Sequence, residues 1–329
     1  MKRLLITGGL GFIGSSLAKH YASVKLFDQI IVLDNLSRGS RENIRGYEDK
    51  IQVFIGDLTD KESCLDAFFG IDTVIHLAAS VGGISLYENK PFSVAFDNTN
   101  IDLNAISLSK QTGVKNFLYA SSTHVYPHHL QMTADSRPLV ESDAVGGGQY
   151  LSYGIEKLYI EKLLESLYKE NKRMNIGIAR YCGIFGPNQD IDINNASLIP
   201  ALCHRAALHP IKEYTIRGNG EETRSYCFID DAVEATALML LKMDSKGFVG
   251  PYNVGSPHKY TVYEIASLIG KISGKDLEPI RDPSIKASIM GQSCSIDAIE
   301  MDLGWTPKTL FSSGLEKVYK NVCERIYDE

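Results

Sequence analysis

The sequence predicts an α/β protein with a doubly wound parallel sheet and a smaller C-terminal lobe. Short apolar runs rich in β-branched residues recur along the chain, among them RLLIT, QIIVLD, IQVFIG, TVIHLA and NFLYAS. Segments with helical spacing separate the early runs, as Phe12, Ser16 and His20 illustrate. Strands that alternate with helices form parallel sheets covered on both faces, which is why each strand is apolar throughout.

The alternation loosens from about Ile184 onward, where Pro, Gly and longer loops become more frequent. We therefore expect the main sheet domain to span residues 1–181, with a return to it near 225–256. The smaller lobe should span 182–329. A chain of 329 residues is long enough for one large domain or two closely packed ones.

The composition excludes several classes of function. The net charge of −6 and pI near 5.8 argue against a nucleic-acid partner, because neutralising phosphates needs a basic surface. No segment is apolar and long enough for a membrane span or a secretory signal, so we expect no membrane partner and a cytoplasmic location. The six cysteines show no metal-ligand spacing, and we expect them to be reduced, mostly buried thiols with no metal bound.

The first strand runs into TGGLGFIGSS, which places Gly8, Gly11 and Gly14 at G-x-x-G-x-x-G spacing. Glycines in such a pattern make the turn, let the backbone approach a pyrophosphate and let the helix pack on its strand. The helix that begins near Phe12 and Ile13 then offers free N–H groups and a positive dipole end to phosphates. This is typical of a Rossmann-type dinucleotide site, although a purely structural turn is the alternative.

The second strand ends at Asp34, about twenty residues after the last glycine. A carboxylate there binds both ribose hydroxyls and repels a 2′-phosphate, so it favours NAD over NADP. Asn35 and Ser37 follow in the same loop. Arg38 weakens the preference for NAD over NADP, because a guanidinium tolerates a 2′-phosphate. We interpret Arg38 as packing along the adenine.

Later segments supply the remaining predicted coenzyme contacts. Asp57 and Leu58 end the third strand and should border the adenine, with a helix N-cap as the alternative role of Asp57. The further candidates are Leu77, Ala78, Ala79, Asn98, Tyr153, Lys157 and Tyr181.

A helix in LSYGIEKLYIEKLLESLYKE carries Tyr153 and Lys157 four residues apart, so both side chains project from one face. A lysine ammonium beside a phenol stabilises the phenolate and lowers its pKa towards the range of a general base. An ordinary exposed helix with an unrelated Tyr and Lys is the alternative. The dinucleotide site upstream favours a catalytic pair.

Together these segments resemble the extended short-chain dehydrogenase/reductase family of NAD-dependent nucleotide-sugar epimerases and dehydratases. The resemblance covers the whole chain and is nearest in pattern to GDP-mannose 3,5-epimerase and UDP-sugar 4-epimerases. It is carried, in order, by TGGLGFIG, HLAA from His76, ASSTHVYP, the Tyr153–Lys157 pair, RYCGIFGP, GNGEETRSYCFIDD and DLGWTP. It implies that NAD is the coenzyme, that Ser122 hydrogen-bonds the reacting sugar oxygen, and that Tyr153 removes the C4 hydroxyl proton. It also implies that Lys157 holds the nicotinamide ribose.

Thr123 and His124 occupy the positions at which members of this family differ. The resemblance implies carboxylates there in 4,6-dehydratases, so dehydration is disfavoured, and a cysteine in 3,5-epimerases where this chain has His124. An imidazole is suited to removing a proton next to a ketone, with simple packing as the alternative role of His124. The partner acid–base position of 3,5-epimerases falls near Ser197 and Leu198, and neither exchanges a proton at neutral pH. We therefore expect double epimerisation to be incomplete.

Substrate contacts follow from the same resemblance. The Gly82–Gly83 pair favours a GDP-linked sugar weakly, and Arg224 matches the family's phosphate-binding arginine, with pairing to an acidic neighbour as its alternative role. Two positions depart from the family: Gly183 replaces an asparagine, and the C-terminal arginine is missing, with Lys286 or Arg281 nearest. The predicted contacts are Gly82, Gly83, Asn194, Asn195, Leu198, Arg224 and Lys286.

The sequence thus predicts an enzyme that oxidises C4 of a nucleotide-diphosphate sugar, with 4-epimerisation as the leading hypothesis. A 4-dehydrogenase that releases the ketone, a C5 epimerase that uses His124 and a non-catalytic NAD-binding sensor are the alternatives. The intact Ser122, Tyr153 and Lys157 disfavour the sensor. The resemblance also implies a homodimer that pairs the helix of Tyr153 with the one near 100–111 around a twofold axis.

Overall fold

A seven-stranded parallel sheet occupies the centre of the structure, a computed structural model that describes residues 1–82, 84–145, 147–193, 195–284 and 287–327. The described strands are β1 (Arg3–Thr7), β2 (Gln29–Asp34), β3 (Ile51–Ile55), β4 (Thr73–His76), β5 (Asn116–Ser122), β6 (Asn175–Tyr181), β7 (Ile184–Phe185), β8 (Thr215–Arg217), β9 (Thr223–Ser225), β10 (Cys227–Phe228), β11 (Phe248–Val254), β12 (Lys259–Thr261), β13 (Ile280–Asp282) and β14 (Gly291–Gln292). The sheet order is β11-β6-β5-β4-β1-β2-β3. This confirms the predicted Rossmann-type fold.

Helices cover both faces of this sheet. The α-helices in the described part of the chain are α1 (Phe12–Val24), α2 (Lys61–Phe68), α3 (Ile84–Asn89), α4 (Pro91–Thr112), α5 (Ser152–Glu170), α6 (Leu198–Leu208), α7 (Ile229–Lys246), α8 (Val262–Ile272), α9 (Asp297–Leu303) and α10 (Phe311–Tyr327). Side chains of α1 and α7 share one core cluster with Leu4 and Ile6, whereas α2, α4 and α5 share another with Leu5. Successive residues of β1 therefore point into opposite cores, and this explains why the strand is apolar throughout.

The order of the strands reverses between β1 and β4, which lie side by side although two strands separate them in the chain. Ligands of open α/β sheets bind outside the carboxyl ends of the strands at such a switch point. The carboxyl ends of β1, β2, β4 and β5 carry the glycine turn, Asp34, His76 and Ser122. The topology thus brings the predicted coenzyme and catalytic segments to one edge of the sheet.

Residues after Tyr181 form small sheets and a separate group of packed helices. The small sheets pair β10 with β7, β13 with β8, and β12 and β14 with β9. Helices α6, α8 and α10 pack against one another, and β11 rejoins the main sheet beside β6. The domain boundary at residue 181 stays a prediction.

Two general expectations bear on the described residues. All six cysteines are free thiols, and five of them are buried, as the composition predicts. None of the described helices is both long and apolar enough to cross a bilayer.

Candidate active site

The glycine turn between β1 and α1 is too crowded for side chains. A Cβ atom on Gly8 would lie 2.9 Å from the backbone nitrogen of Ala78, and one on Gly14 would lie 2.2 Å from the Gly8 carbonyl oxygen. Gly8 also has a φ of +66°, a left-handed conformation that favours glycine. Gly11 at the N-cap has no side chain to bind the first N–H groups of α1, which leaves them for a phosphate. The turn therefore fits the pyrophosphate of a dinucleotide.

Asp34 is held in place at the carboxyl end of β2, where it is 7% exposed. Its carboxylate accepts the backbone N–H groups of Leu10 at 3.0 Å and Leu36 at 2.8 Å. Each carboxylate oxygen can accept a further hydrogen bond, so these contacts orient the group without using its full capacity. In the same loop the backbone N–H of Ser37 donates to Oδ1 of Asn35 at 3.0 Å. Asp34 is thus oriented at the edge where a Rossmann-type sheet binds a ribose.

Asp57 organises the loop after β3. Its carboxylate accepts Nδ2 of Asn35 at 2.9 Å and the backbone N–H of Thr59 at 2.8 Å. Burial alone would raise the pKa of Asp57, but these hydrogen bonds outweigh burial and lower it. The side chain that caps α2 is Asp60, which accepts from the N–H of Ser63, so the capping alternative for Asp57 is wrong.

The other predicted coenzyme residues lie along the same strand ends. The N–H groups of Leu77 and Ala78 donate to the Thr7 hydroxyl at 3.2 Å each. Both polar atoms of the Asn98 amide bind the backbone of Ser80, at 2.6 and 3.2 Å, so this side chain holds the loop after β4. The remaining candidates, all at least partly buried, are Phe12, Ile13, Leu58, Ala79 and Tyr181.

Arg38, which we expect to pack along the adenine, has an acidic partner. Its Nη2 forms an ion pair with Oδ2 of Asp190 at 2.6 Å, in the loop after β7. A Cβ atom on Gly82 would lie 3.3 Å from the other terminal nitrogen of Arg38. An ion pair at Nη2 does not exclude stacking on the face of the guanidinium, so the adenine contact stays a prediction. Arg38 links the loops after β2 and β7.

Ser122, His124 and Tyr153 meet where β5 ends and α5 begins. The Ser122 hydroxyl oxygen accepts the backbone N–H of His124 at 3.2 Å, and Thr123 lies buried in the turn between them. The His124 ring stands edge-on to the Tyr153 ring, with 5.6 Å between centroids. Gly154 permits this approach, because a Cβ atom there would lie 1.9 Å from the His124 carbonyl oxygen. The start of α5 is thus packed directly on the loop that carries Ser122.

Lys157 lies one turn further along α5 and is 2% exposed. Its Nζ is 5.8 Å from the centroid of the Tyr153 ring and 4.7 Å from that of Tyr119. It also donates to Oδ2 of Asp102 at 3.2 Å. Tyr153 and Lys157 therefore share one face of the helix, as their spacing predicts.

The pKa of Tyr153 does not follow the sequence expectation. Burial raises it and outweighs the opposite effect of the Lys157 charge, while Tyr87, Glu156 and Asp102 raise it further. The lysine acts in the predicted direction but does not by itself bring the phenol into the range of a general base. The expectation was wrong about the net shift because it did not include burial or the nearby carboxyl groups.

His124 is an uncharged imidazole at neutral pH in this site. Burial lowers its pKa to about 4, and the positive charge of Arg224 acts in the same direction. The guanidinium of Arg224 is held by backbone carbonyls, with Nη1 donating to Thr223 and Nη2 to Ile289 at 2.8 Å each. No ion pair joins Arg224 to an acidic residue in the described part of the chain, so that alternative is wrong.

Gly183, where the family has an asparagine, lies against the strand that carries Arg224. It has a φ of +60°, and a Cβ atom there would lie 2.2 Å from the carbonyl oxygen of Ser225. Asparagine tolerates a left-handed conformation, so the contact with Ser225 excludes a side chain more strongly than the backbone angle does. The structure thus gives this departure a physical reason.

The other predicted substrate residues are scattered or undescribed. The Asn195 amide donates to Oδ2 of Asp192 at 3.0 Å, and Leu198 begins α6 with its side chain against the main core. The backbone N–H of Gly82 donates to the Tyr87 hydroxyl at 3.2 Å. The guanidinium of Arg281 lies over the Tyr263 ring at 4.5 Å. Gly83, Asn194 and Lys286 lie outside the described residues.

Sequence reasoning missed several residues of this site. Tyr87 stacks on the Tyr153 ring with 4.8 Å between centroids, and Asp102 and Glu156 lie beside Lys157. On a helix that carries both apolar and polar residues, the sequence does not distinguish a buried acidic residue from an exposed one. One available signal was the position of Glu156, directly before Lys157 on the catalytic face.

Comparisons with known proteins agree with this geometry. Residues 4–255 match the model of the NAD dependent epimerase/dehydratase family. GDP-mannose 3,5-epimerase 1 of Oryza sativa subsp. japonica is 30% identical over 329 residues, which cover 99% of this chain and 83% of the rice protein. UDP-glucuronic acid decarboxylase 4 of Arabidopsis thaliana is 26% identical over 334 residues, covering 99% of this chain and 70% of that protein.

Solved structures give the same result. UDP-glucose 4-epimerase of Thermotoga maritima, crystallised with UDP-glucose, has a TM-score of 0.85 at 26% identity and covers 99% of this chain and 100% of its own. UDP-glucose 4-epimerase of Thermus thermophilus in complex with NAD has a TM-score of 0.81 at 25% identity, covering 97% and 98%. The glycine turn, the ordered strand ends and the family match together identify the chain as a member of the NAD-dependent epimerase/dehydratase family, and NAD is its coenzyme.

Proposed function

We propose that this protein inverts C4 of a nucleotide-diphosphate sugar through a 4-keto intermediate, as a 4-epimerase. The observation that carries the proposal is the packing of Tyr153 against the Ser122 loop with Lys157 on the same helix face. This cluster lies at the sheet edge that also holds the glycine turn. Solved relatives of the same fold are named UDP-glucose 4-epimerases.

The coenzyme-binding residues in this proposal are the glycine turn and Asp34. The backbone at Gly8, Gly11 and Gly14 and the N–H groups of α1 hold the pyrophosphate, and the Asp34 carboxylate accepts hydrogen bonds from ribose hydroxyls. When bound, NAD supplies the acceptor for the hydride from C4 and a positive charge near the phenol.

Proton transfer falls to the side chains at the start of α5. Tyr153 accepts the proton of the C4 hydroxyl, and Ser122 orients that oxygen by a hydrogen bond. Lys157 binds ribose hydroxyls and stabilises the phenolate by its charge. Neither Thr123 nor His124 offers a carboxylate for water loss, so the ketone has no dehydration route through these two positions.

A 4-dehydrogenase that releases the ketone uses the same residues for its first step. The two reactions differ in whether the reduced coenzyme is reused before it leaves. Under the 4-epimerase proposal, product forms without added oxidant and without accumulation of NADH.

A C5 epimerase is the second candidate, and His124 favours it. Its imidazole is uncharged at neutral pH and lies beside Tyr153, where a base would reach a carbon next to the ketone. Relatives at up to 30% identity are named GDP-mannose 3,5-epimerase. The opposing observation is that Ser197 and Leu198, at the start of α6, offer no partner acid.

For the nucleotide we retain a weak preference for GDP, based on the glycine pair at 82–83. Arg224 is the proposed diphosphate contact, because its buried guanidinium approaches the site and spends two donors on backbone carbonyls out of the five it has. Asn195 and Leu198 remain proposed contacts at the start of α6.

The test is incubation with UDP-, GDP-, CDP- and dTDP-sugars in deuterated water, followed by NMR of the products. A C4 epimer without carbon-bound deuterium supports the 4-epimerase. Deuterium at C5 that His124→Ala abolishes, with C4 oxidation intact, supports the second candidate. Accumulation of a free 4-keto sugar with NADH contradicts both in favour of a dehydrogenase.

We also propose that the protein is a homodimer. An exposed apolar face runs along the adjacent helices α4 and α5, and its members are Phe92, Phe96, Leu103, Ile155 and Tyr159. Two copies of this face would form a four-helix interface around a twofold axis. A monomer by light scattering at micromolar concentration contradicts this proposal.

A further inference from the structure

A buried cluster of charged and polar groups lies next to the Tyr153–Lys157 pair, and the proposed chemistry does not use it. At its centre is Asp102 of α4, whose side chain has no solvent exposure. One carboxylate oxygen lies 2.8 Å from Nε2 of His76, and the other accepts the Tyr119 hydroxyl at 2.7 Å and Nζ of Lys157 at 3.2 Å. The cluster therefore joins β4, β5, α4 and α5 around one carboxylate.

His76 fixes Asp102 from the side opposite Lys157. Its Nδ1 lies 2.7 Å from the hydroxyl of Thr7, and its Nε2 faces the carboxylate of Asp102. The imidazole is 1% exposed. Asp102 is thus anchored to the sheet, and its second oxygen is left to meet the ammonium on α5.

Glu156 is a second buried carboxyl group near the same ammonium. It is 5% exposed, and one oxygen lies 4.0 Å from Nζ of Lys157. Burial raises the pKa of Glu156 against the effect of Lys157, and a hydrogen bond to Asp102 and the charge of Asp102 raise it further. Glu156 is therefore the weaker acid of the two carboxyl groups, and Asp102 is the one that lies nearer to Lys157.

The protonation state of Lys157 depends on the negative charge of Asp102. Burial alone would lower the pKa of Lys157, but Asp102 first and Glu156 second reverse the effect and raise it. A buried ammonium that loses its partner loses its proton or destabilises the fold. A neutral amine would no longer stabilise the phenolate of Tyr153.

We propose that Asp102 is a positioning residue that holds Lys157 as a fixed cation beside Tyr153. The inference rests on the proposed function in one respect, that Tyr153 and Lys157 form the catalytic pair. Asp102 acts through Lys157 and touches neither substrate nor coenzyme.

A test must leave the other titratable residues around Tyr153 and Lys157 unmutated. Tyr119 faces Lys157 from β5 and His76 faces Asp102 from β4. The groups that face Tyr153 or its neighbours from other elements are Tyr87 on α3, His124 after β5, Arg224 on β9 and Arg38 after β2. None of them is changed in the variants below.

The experiment compares Asp102→Asn/Glu156→Gln with Glu156→Gln alone in coenzyme-free protein. Both variants lack the Glu156 titration, so their difference reports the loss of Asp102, and the pH dependence of that difference reports its pairing with Lys157. The unfolding equilibrium constant is measured by chemical denaturation at several pH values between 8 and 10. Because no substrate or coenzyme is present, the result stays informative if C4 oxidation itself proves wrong.

The expected result follows from the sign of the proton balance. Without Asp102 the folded-state pKa of Lys157 lies below the unfolded value, so the unfolded chain binds more protons and stability rises with pH. The unfolding constant of the double variant, relative to Glu156→Gln, should fall by up to about tenfold per pH unit. A ratio that does not change with pH overturns the proposal.

A further variant covers the case in which the double variant does not fold. Adding Lys157→Met removes the unpaired ammonium and should restore cooperative folding with no pH dependence of the ratio. A triple variant that stays unfolded overturns the proposal, because the instability would then have another cause. In turnover, Asp102→Asn/Glu156→Gln should lose activity at the alkaline end of the pH profile of Glu156→Gln.

Discussion

The coenzyme side and the substrate side of the cleft are built in different ways. On the coenzyme side, Gly8, Gly14 and Asp34 are constrained by backbone contacts that leave no freedom in residue type or orientation. On the substrate side, Arg224 is held by two carbonyls and lies next to the tightly packed Gly183. A backbone constraint that requires glycine can be recognised in a sequence. The contacts that a long side chain makes cannot. The coenzyme is therefore established and the sugar is still a proposal.

The largest expected effect tests whether the proposed proton transfer depends on the substrate side of the cleft and not on the coenzyme side. Tyr153→Phe removes the proposed base and should reduce the rate of C4 epimerisation by about 10²–10⁴-fold. NAD affinity measured by calorimetry should fall much less, because the glycine turn and Asp34 are untouched. Tyr159→Phe, an exposed tyrosine on the same helix, is the matched control and should keep full activity. Equal losses in the two variants would remove Tyr153 from the mechanism.

The next largest effect comes from a substitution that disrupts the glycine turn on the coenzyme side. Gly14→Ala places a Cβ atom 2.2 Å from a backbone oxygen and should lower the free energy of unfolding by about 1–3 kcal/mol, with weaker NAD binding. Gly11→Ala is the control, since its Cβ atom would lie 3.2 Å from the same oxygen. Gly11→Ala should lower the free energy of unfolding by clearly less than Gly14→Ala does. Thermal unfolding with and without NAD measures both, and equal costs would argue against the crowded turn.

A smaller effect sharpens the coenzyme assignment. Asp34 should favour NAD over NADP by at least about tenfold, or about 1.4 kcal/mol, because its carboxylate repels a 2′-phosphate. Asp34→Ala should reduce this discrimination while the pairing of Arg38 with Asp190 stays in place. Calorimetric titration of both coenzymes measures the ratio. Comparable affinities in the unmodified protein would contradict the role of Asp34.

The smallest effect concerns His124 and the pH dependence of stability. Its pKa in the folded state is about 4, below its ordinary value of 6.5, so the unfolded chain binds more protons between these values. Stability from this group is present above pH 6.5 and is lost as the pH falls towards 4. After allowance for partial exposure, we expect a loss on the order of 1 kcal/mol. Denaturation of His124→Gln beside the unmodified protein at pH 4.5 and 7 should show a weaker pH dependence in the variant.

Most of the fold and part of the site could be predicted from sequence. The apolar strands, the glycine turn and the spacing of Tyr153 and Lys157 depend on local periodicity, and the structure contains each of them. The partners of Arg38 and Lys157 come from residues 152 and 55 positions away in the chain, Asp190 and Asp102. No local pattern encodes such contacts.

The sequence prediction for the pKa of the Tyr153 phenol is wrong for a related physical reason. Spacing along a helix shows which groups are neighbours, but not how much water surrounds them. Burial of Tyr153 outweighs the charge of Lys157 one turn away. The energetic character of the site therefore required the packing of α4 and α5.

The close contact at Gly183 limits how this protein can change over evolutionary time. A mutation to the asparagine common in the family would push its Cβ atom into the carbonyl of Ser225, at the end of the strand that carries Arg224. That strand would have to shift first, so the order of mutations matters and the single step is disfavoured. The same dependence suggests that Gly183 and Ser225 should be randomised together when the substrate range is altered by selection in the laboratory.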